Sequence, residues 1–154
     1  MRLNDYLRDD LVVHGIQASG TRDALDAIGA HLSSATSDAS AREIIQALSA
    51  REEAHTTVLG EGVALPHATV SSLEEILLMV ATASPPVPFG PPESPPVEIF
   101  FVLLSPPGGE REHIKLLARI CRLVRYPGFL DDLRSTSSKE ELLKALRQED
   151  AQHV

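Results

Sequence analysis

The chain has 154 residues, 43% of them hydrophobic, and a formal net charge of −8 at pH 7. That length supports one domain with a real core and is too short for two comfortable ones, so residues 1–154 are expected to form a single unit, with its core over about 3–146 and a polar, frayed tail at 147–154. The acidic balance argues against a nucleic-acid role, which needs a basic face against the phosphate backbone, and suits a basic protein partner better.

Met1 to Asp5 lack the charged-then-apolar layout of a signal peptide, and no apolar run approaches the length of a bilayer span. The expectation is a cytoplasmic protein with no direct membrane insertion. Cys121 is the only cysteine, which excludes an internal disulfide; its place on an apolar helical stripe predicts a buried thiol.

Leu3, Leu7 and Leu11 predict a short opening helix or turn, and Leu11-Val12-Val13 a first strand. Ser19 or Thr21 is positioned to cap a helix whose Leu25, Ile28 and Leu32 form one buried stripe. A second helix follows a Ser/Asp-rich turn, with Ile44, Ile45 and Leu48 inward and Arg51 at its C-terminal end, where the helix dipole favours a cation. Thr56 to Leu59 and Val63 to Leu65 are short strand candidates on either side of Gly60-Glu61-Gly62. Ile76 to Ala81 is a nearly continuous apolar run, as in an interior strand.

Pro85 to Pro96 holds seven of the eleven prolines and is expected to be an irregular loop with a packing role. Val97 to Leu104 is the strongest strand and is placed at the centre of the sheet. A helix from about Gly109 to Arg125 carries His113, Leu116, Leu117, Ile120 and Val124 on one face, with His113 in its first turn. Phe129, Leu130 and Leu133 mark a short helix, and Ser137-Ser138-Lys139-Glu140 a capping-box start for a last one carrying Leu142, Leu143 and Leu146. Strands interleaved with helices indicate an α/β class with helices on both faces of a small sheet.

The least generic stretch is Arg51 to Ala68, R-E-E-A-H-T-T-V-L-G-E-G-V-A-L-P-H-A. Pro66 has a fixed φ and biases Leu65 toward an extended backbone, so a short apolar strand stops there and aims His67 outward. Gly60 and Gly62 permit a tight turn. An imidazole at a strand end with an Arg nearby suits anion chemistry.

This stretch resembles the active-site signature of the type 2 enzyme IIA domains of the bacterial phosphoenolpyruvate-dependent sugar phosphotransferase system, in the fructose/mannitol and nitrogen-regulatory branch. The residues that carry the resemblance are Arg51-Glu52, Thr56-Thr57, Gly60-Glu61-Gly62, Val63-Ala64-Leu65 and Pro66-His67-Ala68. It extends over nearly the whole chain and implies a three-layer α/β/α fold with a mixed, about five-stranded sheet. It also implies a phosphotransferase that uses a phosphohistidine intermediate. His67 would accept the phosphoryl group, usually at Nε2, from HPr or an HPr-like phosphocarrier and pass it to a IIB domain.

A neutral imidazole is a competent nucleophile near pH 7, and its phosphoramidate is labile enough to pass the group on. Because the transition state spreads negative charge over the moving phosphoryl, donors are needed around it. The resemblance supplies two: Arg51, whose planar fork suits phosphate, and His113, in the first turn of a helix. Thr57 stands in the second rank as a hydrogen-bonding neighbour, and Glu61 is read as solvating its turn. No cofactor or metal ion is implied.

Two rivals remain. One is a regulatory binding module in which phosphorylation of His67 switches a protein surface. The opening Leu3-Asn4-Asp5-Tyr6-Leu7 and the lack of any IIB or IIC segment resemble the free-standing nitrogen-regulatory branch more than a transport fusion. The other is a zinc hydrolase site built from His55, His67 and His113, disfavoured because no His pair has i, i+4 spacing with an intervening Glu. His14, His31, His55 and His153 are assigned packing or solvent-facing roles.

Overall fold

The computed structural model describes residues 1–153. Its centre is the strand the apolar run predicts, β6 (Val97–Ser105). Alternation along this strand sends Phe100, Val102 and Leu104 to one core and Ile99, Phe101 and Leu103 to the other, so both faces of the sheet are covered. α1 (Thr21–Ser34) and α2 (Ala41–Ala54) pack on the first face. α3 (Glu110–Leu123), α4 (Phe129–Arg134) and α5 (Lys139–Gln152) pack on the second, giving an α/β/α arrangement.

β5 (Leu77–Val87) lies antiparallel to β6, and β1 (Val12–Ile16) lies parallel to β5 at one edge. On the other side of β6, β3 (Val63–Ala64) and then β4 (His67–Thr69) pair with it in parallel, and β2 (Val58–Gly60) runs antiparallel to β3. The mixed sheet therefore has six strands rather than five. The extra one arises because Leu65-Pro66 divides what would be a single strand along β6. Pro66 has no N–H to give the ladder, although its carbonyl still accepts from Leu103 N at 3.0 Å. The Leu65 N–H turns away from β6 and donates to the Thr57 carbonyl at 2.9 Å.

The Gly-Glu-Gly turn needs positive φ at three successive residues: 105° at Gly60, 55° at Glu61 and 81° at Gly62. Only glycine adopts that region freely, which explains the motif. Glu61 is exposed and its carbonyl accepts a hydrogen bond from Arg134 Nη2, so the non-glycine member is held through its backbone.

Several expectations are corrected. β5 extends into the proline-rich segment as far as Val87, because the pairing register with β6 breaks between Thr82 and Val87, and Pro85 and Pro86 sit exposed where no ladder N–H is demanded. The rest of that segment is anchored by Phe89, 2% exposed and edge-on to Phe100 with centroids 5.2 Å apart. Neither Ser19 nor Thr21 caps α1 with its side chain; the Thr21 hydroxyl instead accepts from Gly90 N. Ile45 and Cys121 are half-buried rather than buried.

Where a frayed tail is expected over 147–154, α5 continues through Gln152; Val154 lies outside the described residues. Asp150 is fully buried one turn beyond Leu146 and pairs with Arg119 at 2.9 Å. Its carboxylate also accepts from the backbone N–H groups of Leu3 and Asn4 at 3.0 and 2.9 Å, tying the two chain ends together.

Candidate functional site

His67 is the first residue of β4, in register with Leu103 near the C-terminal end of β6. Its Nδ1 lies 2.7 Å from the Leu65 carbonyl oxygen. A carbonyl only accepts, so Nδ1 carries the hydrogen and Nε2 is left with a free lone pair. The ring is half-buried, and its pKa lies below the usual value. Burial is the main cause, opposed by the Leu65 hydrogen bond; Arg51 lowers the pKa further and Glu52 raises it. The uncharged imidazole is thus the favoured form at neutral pH.

His113 stands in the first turn of α3, and its ring centroid is 5.4 Å from that of His67, with the planes tilted by 60°. Its Nδ1 is 2.5 Å from the hydroxyl of Ser105, the last residue of β6. Its pKa is also lowered, first by burial and then by the neighbouring charges of His67 and Arg51, with Glu110 opposing. In the same turn, the Glu110 carboxylate folds back to accept from Gly108 N.

Arg51 lies in the last turn of α2, and its Nη1 donates to the His55 carbonyl at 2.7 Å, which caps the helix and holds the guanidinium in place. Its charge acts on both imidazoles. The structure sets the rings of His67 and His113 side by side, and Arg51 lowers the pKa of both through its charge.

Thr57 is positioned differently from a ligand-facing residue. It is buried, and its hydroxyl donates to Glu52 Oε1 at 2.5 Å. Glu52 Oε2 accepts from Thr57 N at 2.8 Å and from the Thr56 hydroxyl at 3.1 Å. A chain of bonds then runs from the Glu52 carboxylate to Thr57, from the Thr57 carbonyl to Leu65 N, and from the Leu65 carbonyl to His67 Nδ1. Thr57 supports the ring from behind.

Sequence reasoning quoted Glu52 within the signature without giving it a role, and it did not single out Ser105. A signal for Glu52 was present: Ile44, Leu48 and Glu52 recur every four residues, which places the carboxylate on the buried stripe of α2. Ser105 had only its position at the end of the strongest strand.

The remaining histidines serve local contacts. His14 and His31 bond the Thr136 and Asp10 carbonyls through Nε2, and His153 stacks on Tyr126 with centroids 3.5 Å apart. His55 is exposed, and among the described residues no three His, Cys, Asp or Glu side chains are grouped to hold a metal ion. A cleft of about 600 Å³ lies between Leu25 of α1, Glu52 and Thr56 near the end of α2, and Pro91. Neither His67 nor His113 is on its wall.

Residues 5–149 match the family model of the phosphoenolpyruvate-dependent sugar phosphotransferase system, EIIA 2. The chain is 30% identical over 146 residues to a nitrogen regulatory protein of Bradyrhizobium diazoefficiens, covering 95% of each protein. Its fold is similar to the crystal structure of nitrogen regulatory protein IIA-Ntr from Neisseria meningitidis, with a TM-score of 0.85 and 26% identity over 94% of this chain and 98% of that one. It is also similar in fold to enzyme IIA in the complex of mannitol IIA and phosphorylated IIB from Escherichia coli, with a TM-score of 0.77 and 21% identity over 92% of this chain and 97% of that one.

Proposed function

We propose, since the chain belongs to the EIIA type 2 family of the phosphoenolpyruvate-dependent sugar phosphotransferase system, that it carries a phosphoryl group on His67 Nε2 between two protein partners. Members of this family are phosphotransfer components. The donor is an HPr-like phosphocarrier and the acceptor a IIB domain; a complex of IIA with phosphorylated IIB is known for the mannitol proteins of Escherichia coli.

The observation that carries this reading is the commitment of His67 Nδ1 to the Leu65 carbonyl, beside a second imidazole whose centroid lies 5.4 Å from that of the His67 ring. The Nε2 lone pair attacks phosphorus as the P–N bond of the donor breaks, and that bond's electron pair returns to the donor's ring nitrogen. Nδ1 keeps its hydrogen throughout, so His67 needs no proton transfer to react. The phosphoryl oxygens meet the Arg51 guanidinium and a donor from His113. The first turn of α3 adds about 0.3–1 kcal/mol of dipole stabilisation at an exposed site.

Incubation with phosphoenolpyruvate, the first enzyme of the system and HPr is expected to add one acid-labile phosphate, absent from His67→Ala. Full labelling of that variant would overturn the assignment. His113→Ala slows transfer on the order of 10²–10³-fold by analogy with the loss of one preorganised donor.

A second reading is favoured by the nitrogen-regulatory relatives. In it, phosphorylation of His67 switches a regulatory protein surface and no sugar is transported. Partner capture with phosphorylated and unphosphorylated protein separates the two: a partner retained by one form alone supports the switch, and transfer to a IIB domain supports the relay.

A further inference from the structure

We propose that Ser105 is a positioning residue for phosphoryl transfer: its hydroxyl donates to His113 Nδ1, so that His113 presents an Nε2–H toward the bare Nε2 of His67. This rests on the reading of His67 as the phosphoryl acceptor.

Ser105 is 1% exposed and its backbone is pinned, its carbonyl accepting from Val70 N at 2.9 Å while the residue pairs in parallel register with Thr69. The hydroxyl's one side-chain bond among the described residues is to His113 Nδ1, at 2.5 Å. If Nδ1 carried the hydrogen and donated to the serine, the serine's own hydrogen would be left buried without an acceptor. In the opposite arrangement every hydrogen is satisfied, and a serine oxygen left without a donor is the lesser defect. Burial and the Arg51 charge both favour the neutral ring, so the arrangement in which both nitrogens carry hydrogen is disfavoured.

The two facing rings are thereby held in opposite tautomers by two different bonds. Leu65 O fixes the hydrogen of His67 on Nδ1 and leaves Nε2 nucleophilic, and Ser105 fixes the hydrogen of His113 on Nε2 and leaves it a donor. A phosphoryl oxygen meeting His113 in the other tautomer, or with its ring turned over, would face a lone pair. Ser105 itself touches no reacting atom.

The test is ring nitrogen NMR of the unphosphorylated wild type, followed by Ser105→Ala and Ser105→Thr. In the wild type, His113 Nδ1 is expected to appear as a hydrogen-bonded, pyridine-type nitrogen and Nε2 as the protonated one. Ser105→Ala should move Nδ1 to the position of an unbonded pyridine-type nitrogen and slow phosphoryl transfer to His67 about 10-fold, as for loss of a partner that orients a reactive imidazole, with KM for the phosphorylated donor unchanged. Ser105→Thr keeps the hydroxyl and should restore both.

A protonated Nδ1 on His113 in the wild type overturns the proposal without recourse to any variant, so a poorly folded Ser105→Ala does not shield it. An unchanged transfer rate in a folded Ser105→Ala also overturns it. If no phosphate is ever accepted while the tautomers are as stated, the phosphoryl reading has failed and the assignment of the rings has not. If phosphate is accepted and the tautomer is wrong, only the role of Ser105 falls.

Discussion

Replacing Glu52 tests whether support behind His67 controls its reactivity. The carboxylate is 9% exposed and accepts from Thr57 N at 2.8 Å, the Thr57 hydroxyl at 2.5 Å and the Thr56 hydroxyl at 3.1 Å. Glu52→Ala leaves the buried N–H and O–H of Thr57 without an acceptor, each worth about 1–3 kcal/mol if it finds none. Water entering from the adjoining cleft offsets part of this, so the net loss should be about 2–3 kcal/mol, or roughly 5–10 °C in Tm for a domain of this size.

The same change releases Thr57, whose carbonyl holds Leu65 N, which in turn sets the acceptor for His67 Nδ1. Phosphoryl transfer is therefore expected to slow on the order of 10–10²-fold, the penalty for a nucleophile displaced by a fraction of an ångström to an ångström. Glu52→Gln keeps an acceptor for Thr57 N but turns an NH₂ toward the threonine oxygen and leaves the Thr57 hydroxyl hydrogen without its acceptor, so stability and rate should fall between those of wild type and Glu52→Ala. Thermal unfolding by circular dichroism and single-turnover phosphorylation read the two effects. A Glu52→Ala protein within about 0.5 kcal/mol of wild type, the range of an ordinary surface substitution, and with an unaltered transfer rate would refute the reasoning.

Three further outcomes are expected. Both imidazoles have folded-state pKa values below 6.5, so the unfolded chain binds protons that the folded one resists; stability should fall as pH drops from about 7 through 6.5 and level off below the folded values, as followed by urea unfolding across that range. Arg51→Gln removes a charge that lowers both pKa values, so NMR titration should show both rising, and no rise in either would place the guanidinium out of reach. Asp150→Ala strands the buried Arg119 and should cost about 3–5 kcal/mol, whereas Arg119→Met with Asp150→Leu should recover much of it. A double variant no more stable than Asp150→Ala alone would count against the buried pair as the source of the loss.

Much of this protein was legible residue by residue. The stripes Leu25-Ile28-Leu32 and Leu142-Leu146 are buried as their periodicity requires, and the apolar run at β6 is the centre of the sheet. The glycines at 60 and 62 form the tight turn expected of them, with φ of 105° and 81°. These features are local, decided by backbone sterics and by which side chains avoid water.

What the chain order could not express is where distant polar groups meet. Asp150 reads as part of a soluble tail until Arg119, Leu3 and Asn4 converge on it, and it then extends α5. Ser105 is one more serine before two prolines until the parallel pairing of β4 with β6 sets it beneath the helix that carries His113. Periodicity locates apolar side chains because their burial is non-directional. A hydrogen bond or ion pair between residues far apart in the chain requires a distance and an angle, and only the packing of α2, α3 and the end of the sheet supplies them.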